Sequence, residues 1–183
     1  MDLSGLRQKM ERMVELTSEE LSSIRAGRAS PELVWDISVD YHGTHARLRD
    51  LAMISVPEVR IIHIQPWDKS SLSPIAKAIL KSDLGINPID DGNSLRLDLP
   101  PLSEERRVQL SKLVRKKMEE GKVRVRNVRR DFISDLRKEL KAKETSEDEY
   151  RREVTEVERL TEEFIAKLEK RGKDKEEEIM EGS

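Results

Sequence analysis

The chain contains no cysteine, which removes disulfide bridges, thiolate nucleophiles and cysteine-bound metals from consideration. Aromatic residues are almost as scarce, with two Trp, two Tyr and two Phe in 183 residues. Any core must therefore be mainly aliphatic, and a platform for stacking single-stranded bases is not supported. Trp35 and Trp67 are expected to be packing residues. No apolar run is long enough to span a bilayer, and the opening MDLSGLRQKM lacks the apolar stretch of a signal peptide. A soluble cytoplasmic protein is the expectation. An overall excess of one charge is also missing, since 35 Lys and Arg face 37 Asp and Glu for a net of −2.

That near-neutrality hides an asymmetry. Residues 103–143 hold 15 Lys/Arg against 7 Asp/Glu, while residues 144–183 hold 8 against 15. The total therefore does not argue against an anionic partner, because the local field does the steering.

Helical periodicity covers three stretches. Leu3, Leu6, Met10, Met13, Thr17, Leu21 and Ile24 recur at spacings of three and four, predicting a helix over 3–27. Ser103-Glu104-Glu105-Arg106 carries part of a capping-box pattern and opens a helix running to about Lys143, roughly 60 Å at 1.5 Å per residue. Its apolar seam is Leu110, Val114, Met118, Gly121, Val125, Val128, Phe132 and Leu136. After a break and new cap at Thr145-Ser146, a last helix carries Tyr150, Val154, Val157, Thr161, Phe164 and Leu168. None of the three is apolar all round, so they should share one seam as a three-helix bundle.

Residues 31–102 change character. Val34, Ile37, Val39 and Tyr41 approach strand alternation, closed by Gly43. Ala52–Val56 and Val59–Gln65 read as strands separated by Pro57-Glu58, and Ser94–Leu99 as another after the turn Asp90-Asp91-Gly92-Asn93. Ser71–Lys81 reads as a helix capped by Asp68 or Ser70, with Leu72, Ile75, Ala76, Ile79 and Leu80 on its apolar face. The fold class is thus α+β: a long three-helix bundle (residues 1–30 and 103–183) with an inserted small β/α/β domain (31–102). Two hinge segments, Arg28-Ala29-Ser30-Pro31 and Pro100-Pro101-Leu102, suggest an L shape.

The basic run Lys122–Arg130, KVRVRNVRR, lies on the middle helix. At about 100° per residue, Arg115, Lys122, Arg126 and Arg129 form a strip beside the seam. Arginine suits phosphate because its planar fork binds two oxygens at once. The competing reading is a solvated face paired with Glu119 and the acidic last helix. Neutralisation by that helix would require it to lie over the strip while its own seam faces inward, so a nucleic-acid backbone is the favoured partner. Contacts should be mainly to phosphate, with binding falling steeply in salt.

No catalytic constellation emerges. His42 and His45 flank Gly43-Thr44, and His63 lies in a strand; His-x-x-His without a fitting carboxylate is a weak metal signal. Asp90-Asp91 serve a turn, and Glu104-Glu105 suit a helix N-terminus. No Walker loop, dinucleotide fingerprint or Gly-x-Ser-x-Gly elbow occurs. The expectation is a non-enzyme, monomeric, without cofactor or metal. A coiled-coil scaffold that recruits another protein through its seam or acidic helix is the alternative.

Several strings occur together: RAGRASP (Arg25–Pro31), VDYHG (Val39–Gly43), QPWDKS (Gln65–Ser70), SDLGINP (Ser82–Pro88), LPPLSEERR (Leu99–Arg107) and VRNVRRD (Val125–Asp131). In this order they resemble the bacterial ribosome recycling factor family over nearly the whole chain. The resemblance implies a three-helix bundle with a hinged β/α/β insertion and no catalytic activity of its own. It implies binding to large-subunit ribosomal RNA after termination. It further implies splitting of the post-termination complex, with release of mRNA and tRNA, by cooperation with elongation factor G and GTP. Carried over by position, Arg129 corresponds to the arginine on which ribosome binding most depends. Arg126, Arg130, Arg25 and Arg28 follow as RNA contacts, and Arg106 and Arg107 lie near the hinge. The sequence departs from the family at His45-Ala46-Arg47-Leu48, which lacks a common proline, and at Phe132, where a small residue is frequent.

Overall fold

The computed structural model describes residues 2–181. The chain folds as two units, residues 2–26 with 104–181, and Gly27–Ser103. The first is a bundle of α1 (Leu3–Ser22), α5 (Glu104–Lys141) and α6 (Glu147–Glu181). The second holds α2 (Glu32–Trp35), β1 (Ser38–Tyr41), β2 (Thr44–Arg47), α3 (Leu48–Leu51), β3 (Ala52–Glu58), β4 (Ile61–Pro66), α4 (Leu72–Lys81), β5 (Ile89–Asp90) and β6 (Leu95–Asp98).

The bundle core follows the seam expected from spacing, with Val14 and Leu160 added to it. Leu6, Met10, Val14, Val125, Leu136, Val157, Leu160, Phe164 and Leu168 are buried together, and Val128, Phe132, Tyr150 and Val154 pack against them. Burying each aliphatic side chain stabilises by about 1.5–3 kcal/mol, which offsets the weak intrinsic preference of such charged helices. α1 ends earlier than the periodicity predicts, at Ser22 rather than residue 27. Ser23 N–H still donates to Glu19 O, but Ile24 N–H turns to Leu21 O at 3.1 Å, a tighter i−3 bond that closes the last turn. Ile24 and Ala26 stay buried beyond that end.

The break between the long helices is built from local bonds. Lys143 sits at φ +58, its N–H donating to Leu140 O, and Glu144 N–H reaches back to Glu139 O. This is a Schellman closure with lysine at the position glycine prefers. Lys143→Gly is expected to raise stability by about 1 kcal/mol by relieving left-handed strain, read as a higher urea midpoint with unchanged slope. α6 then opens on a complete capping box. Ser146 Oγ accepts from Glu149 N–H at 3.2 Å, and Glu149 Oε2 accepts from Ser146 N–H at 3.2 Å.

In the inserted unit, β3, β4, β6 and β5 form an antiparallel sheet in that order, and β1 and β2 form a separate hairpin. Its core is aliphatic: Val34, Val39, Leu48, Ile62, Ile64, Ile75, Ile79, Leu95 and Leu97 are buried. Several elements differ from the periodic reading. Val34 lies in a short helix, because Pro31 presets the first helical turn and β1 begins only at Ser38. β2 and α3 follow Gly43, where periodicity marks no element; the pairing of Val39 with Ala46 is tertiary information that THAR does not advertise. Pro57-Glu58 does not separate two strands. It lies inside β3, where the register shifts between Ser55 and Glu58, and the chain turns at Val59-Arg60. Asp90 closes β5 before the expected turn. Of the two cap candidates, Asp68 caps the short 3-10 turn Lys69–Ser71 that leads into α4, its Oδ1 accepting from Ser70 N–H, while Ser71 at the start of α4 makes no side-chain cap bond.

Leu80 is 58% exposed and lies off the buried face of α4. The tryptophans also differ from expectation. Trp67 is 69% exposed, because its neighbour Pro66 points into the core and alternation turns Trp67 out. Trp35, at the end of α2, is 36% exposed.

The first crossing between units falls at Ala26-Gly27, so Arg28, Ala29 and Ser30 belong to the insertion. Ala29 N–H donates to Val59 O at 2.7 Å and its side chain packs on the insertion core. Gly27 adopts φ +73, and a Cβ there would stand 2.8 Å from the Leu102 side chain. Gly27 thus packs against Leu102 within the insertion, and glycine is required at position 27.

Candidate nucleic-acid interface

α5 is roughly 57 Å of rod at 1.5 Å per residue, fixed by its seam on one side. Its basic residues divide among three faces. On the α1 side, Arg124 donates to Glu20 at 2.8 Å and to the Thr17 hydroxyl at 3.3 Å. On the α6 side, Arg115 meets Glu176 at 2.8 Å, Lys122 meets Glu169 at 3.0 Å and Glu119 at 3.2 Å, and Arg129 meets Glu158 at 3.4 Å. On the outer face, Lys112, Lys116, Arg126 and Arg130 are exposed. Arg130 has only Asp131, 3.8 Å away, and Lys112, Lys116 and Arg126 have no ion pair among the described residues.

The strip therefore splits. Arg115, Lys122 and Arg129 recur every seven residues beside the seam, the place where coiled coils carry interhelical ion pairs. The expectation that α6 could not neutralise the strip while its seam faces inward is overturned for these three. A residue flanking the seam on one helix lies opposite one flanking it on the other, so both conditions hold at once. Lys122 is the extreme case, with a side chain only 12% exposed. Its hydrogen bond to Glu169 holds its pKa above the ordinary 10.5 against the opposing effect of burial, and Glu119 adds to the rise.

Arg126 remains exposed, and Arg130 lies one helical turn along from it. Two guanidinium groups at i and i+4 on a rigid rod can meet successive phosphates of one backbone. Lys112 and Lys116 extend this face toward the N-terminus of α5. The sequence reading misses these two lysines, although the spacing of 112, 116, 126 and 130 opposite the seam marks the face. Arg25, just past α1, is exposed, and so is Arg28 in the insertion. Arg106 donates to Gln109 at 3.1 Å. His45 Nδ1 meets Asp40 at 3.0 Å in an exposed pair, and no three His, Asp or Glu among the described residues could hold a metal.

The Arg124–Glu20 pair has a pH signature. The hydrogen bond from Arg124 lowers the Glu20 pKa from its ordinary 4.5, with burial opposing. A carboxylate with a depressed folded pKa stabilises above its unfolded value and loses that contribution as pH falls through the folded one. The stability gap between the natural protein and Glu20→Gln should therefore be constant above about pH 5.5 and narrow below about 4.5, as followed by urea unfolding at each pH.

The sequence pattern of the family described as "Ribosome recycling factor" matches residues 17–180. The chain belongs to the ribosome recycling factor family. A recycling factor of Thermomicrobium roseum is 48% identical over 179 residues, spanning 98% of this chain and 97% of that relative. The Bacillus subtilis factor is 46% identical over 179 residues, with the same two coverages. A solution structure of a ribosome recycling factor superposes with a TM-score of 0.69 at 41% identity, covering 96% of this chain and 94% of that one. A second neighbour, at 40% identity and TM-score 0.60, is the Thermus thermophilus recycling factor in models with Escherichia coli elongation factor G on the post-termination complex. It covers 96% of this chain and 95% of that one. No helix among the described residues of this recycling-factor chain is long and apolar enough to cross a membrane.

Proposed function

We propose that this chain recycles ribosomes after termination by binding the large subunit through α5. Arg126 and Arg130 contact ribosomal RNA phosphates directly, Lys112 and Lys116 add to the attracting field, and Arg129 joins them. The bundle of residues 2–26 and 104–181 is the RNA-binding part, and Gly27–Ser103 form the part on which elongation factor G acts. The segments around Arg28–Pro31 and Pro100–Leu102 serve as hinges. With elongation factor G and GTP, binding energy is converted into displacement of intersubunit contacts, releasing mRNA and tRNA. The chain is a monomeric cytoplasmic factor with no chemistry of its own, and nucleotide hydrolysis belongs to its partner.

The observation that carries this reading is a row of exposed cations on a rigid helix of a recycling-factor chain. The scaffold alternative loses its main surface, because α1, α5 and α6 fill the seam among themselves. Subunit splitting assayed by light scattering tests the proposal. Splitting is expected only when this protein, elongation factor G and GTP are all present. Splitting that is unaffected by omitting this protein overturns it.

A further inference from the structure

Arg129 is the least satisfied cation of the α5–α6 ladder. Its Nη1 stands 3.4 Å from Glu158 Oε2, well beyond the roughly 2.7–2.9 Å usual for an arginine–carboxylate bond. Its Nε is buried and has no hydrogen-bond partner. The other rungs are closed more firmly, by one contact of 2.8 Å at Arg115 and by two glutamates at Lys122. The Arg129 and Glu158 side chains are 36% and 46% exposed, so this rung can open without unpacking the seam.

We infer that Glu158 is a releasable holder of Arg129: it parks the guanidinium beside α6 in the free protein and must surrender it to an RNA phosphate on binding. The inference rests on the reading of α5 as the RNA-binding face. Opening the rung frees all five donors of the guanidinium, including the Nε that has no acceptor in the parked position. Phosphate replaces a single long contact with a bidentate one. Glu158 is then a positioning residue with two opposing effects, since it keeps Arg129 at the edge of the face and competes with the phosphate for it.

The test uses the full chain and isolated large ribosomal subunits, with affinities measured at two salt concentrations. Glu162→Gln serves as the control. It removes the same charge from an exposed position four residues along α6, where no ion pair occurs among the described residues. Removing one partial competitor of this kind is expected to make Glu158→Gln bind about two- to fivefold more tightly. Glu162→Gln should stay near the natural affinity, and the gain should vanish when Arg129→Gln is added. Equal or weaker binding by Glu158→Gln overturns the inference. So does an equal gain in Glu162→Gln, or a gain that survives Arg129→Gln, because both indicate only a change in net charge. If Arg129→Gln alone binds as the natural protein does, Arg129 is not an RNA contact and the inference falls with that assignment. Melting temperatures of all variants are expected to match closely, and a large drop in Glu158→Gln would mean that the pair holds the bundle rather than the RNA site.

Discussion

Replacing Arg126 and Arg130 together by glutamine is expected to weaken large-subunit binding by on the order of 3 kcal/mol, about 1.5 for each charge-assisted hydrogen bond to phosphate that disappears. The salt dependence should flatten as well, since two fewer counterions are displaced. Stability should barely change: Arg126 has no ion pair among the described residues, and Arg130 has only an exposed one at 3.8 Å. Lys122→Gln provides the contrast. Its side chain is 12% exposed and held by Glu119 and Glu169, so the substitution leaves two glutamates facing each other. That variant should lose stability by about 1–2 kcal/mol while keeping most of its RNA affinity. Equilibrium binding to large subunits, paired with urea unfolding, separates the two classes of residue. A pair of outer-face variants with natural affinity would remove α5 from the interface.

The second large effect concerns packing. Gly121 lies on α5 directly against Thr17 of α1, and a Cβ there would stand 2.6 Å from the threonine Oγ1 and 2.7 Å from its Cγ2. Thr17 cannot move aside easily. It is fully buried, and its hydroxyl donates to Met13 O at 2.9 Å. Gly121→Ala would gain about 1 kcal/mol of helix propensity in an exposed helix. Here the overpacking cost exceeds that gain, and a net loss of about 1–3 kcal/mol is expected by thermal or urea unfolding. Adding Thr17→Ala removes both obstructing atoms and should recover most of the loss. If the double variant is no more stable than Gly121→Ala, the close approach of α1 and α5 is not the cause. Gly172 of α6 faces the Met118 side chain in a similar way, but there a flexible thioether can yield.

Much of this architecture is visible in the spacing of a few aliphatic residues. Leu110, Val114, Val125 and Leu136 recur at helical intervals because a helix returns to the same face every three or four residues; all four are buried, Val125 and Leu136 in one cluster with α1 and α6 residues. The cap at Ser146, and that of Asp68 on the turn leading into α4, are equally readable, because capping depends on side chains within three residues of the turn they close. The hairpin strand β2 and the placement of Pro57 inside β3 are not. Strand pairing joins distant segments, and a four-residue strand carries too little pattern to announce its partner.

The basic strip shows the same division. Sequence alone determined that the cations lie beside the seam of a long helix, and the combined motifs placed the chain in its family. Which cations are available for a phosphate was decided by tertiary structure. Arg115, Lys122 and Arg129 differ little from Arg126 in sequence, yet Glu176, Glu169 and Glu158 approach the first three across the helix pair. Arg126 lies far enough around α5 that no described α6 carboxylate pairs with it. A side chain's position around its own helix follows from a fixed step of about 100°, whereas its ion-pair partner depends on how a second helix is set against the first.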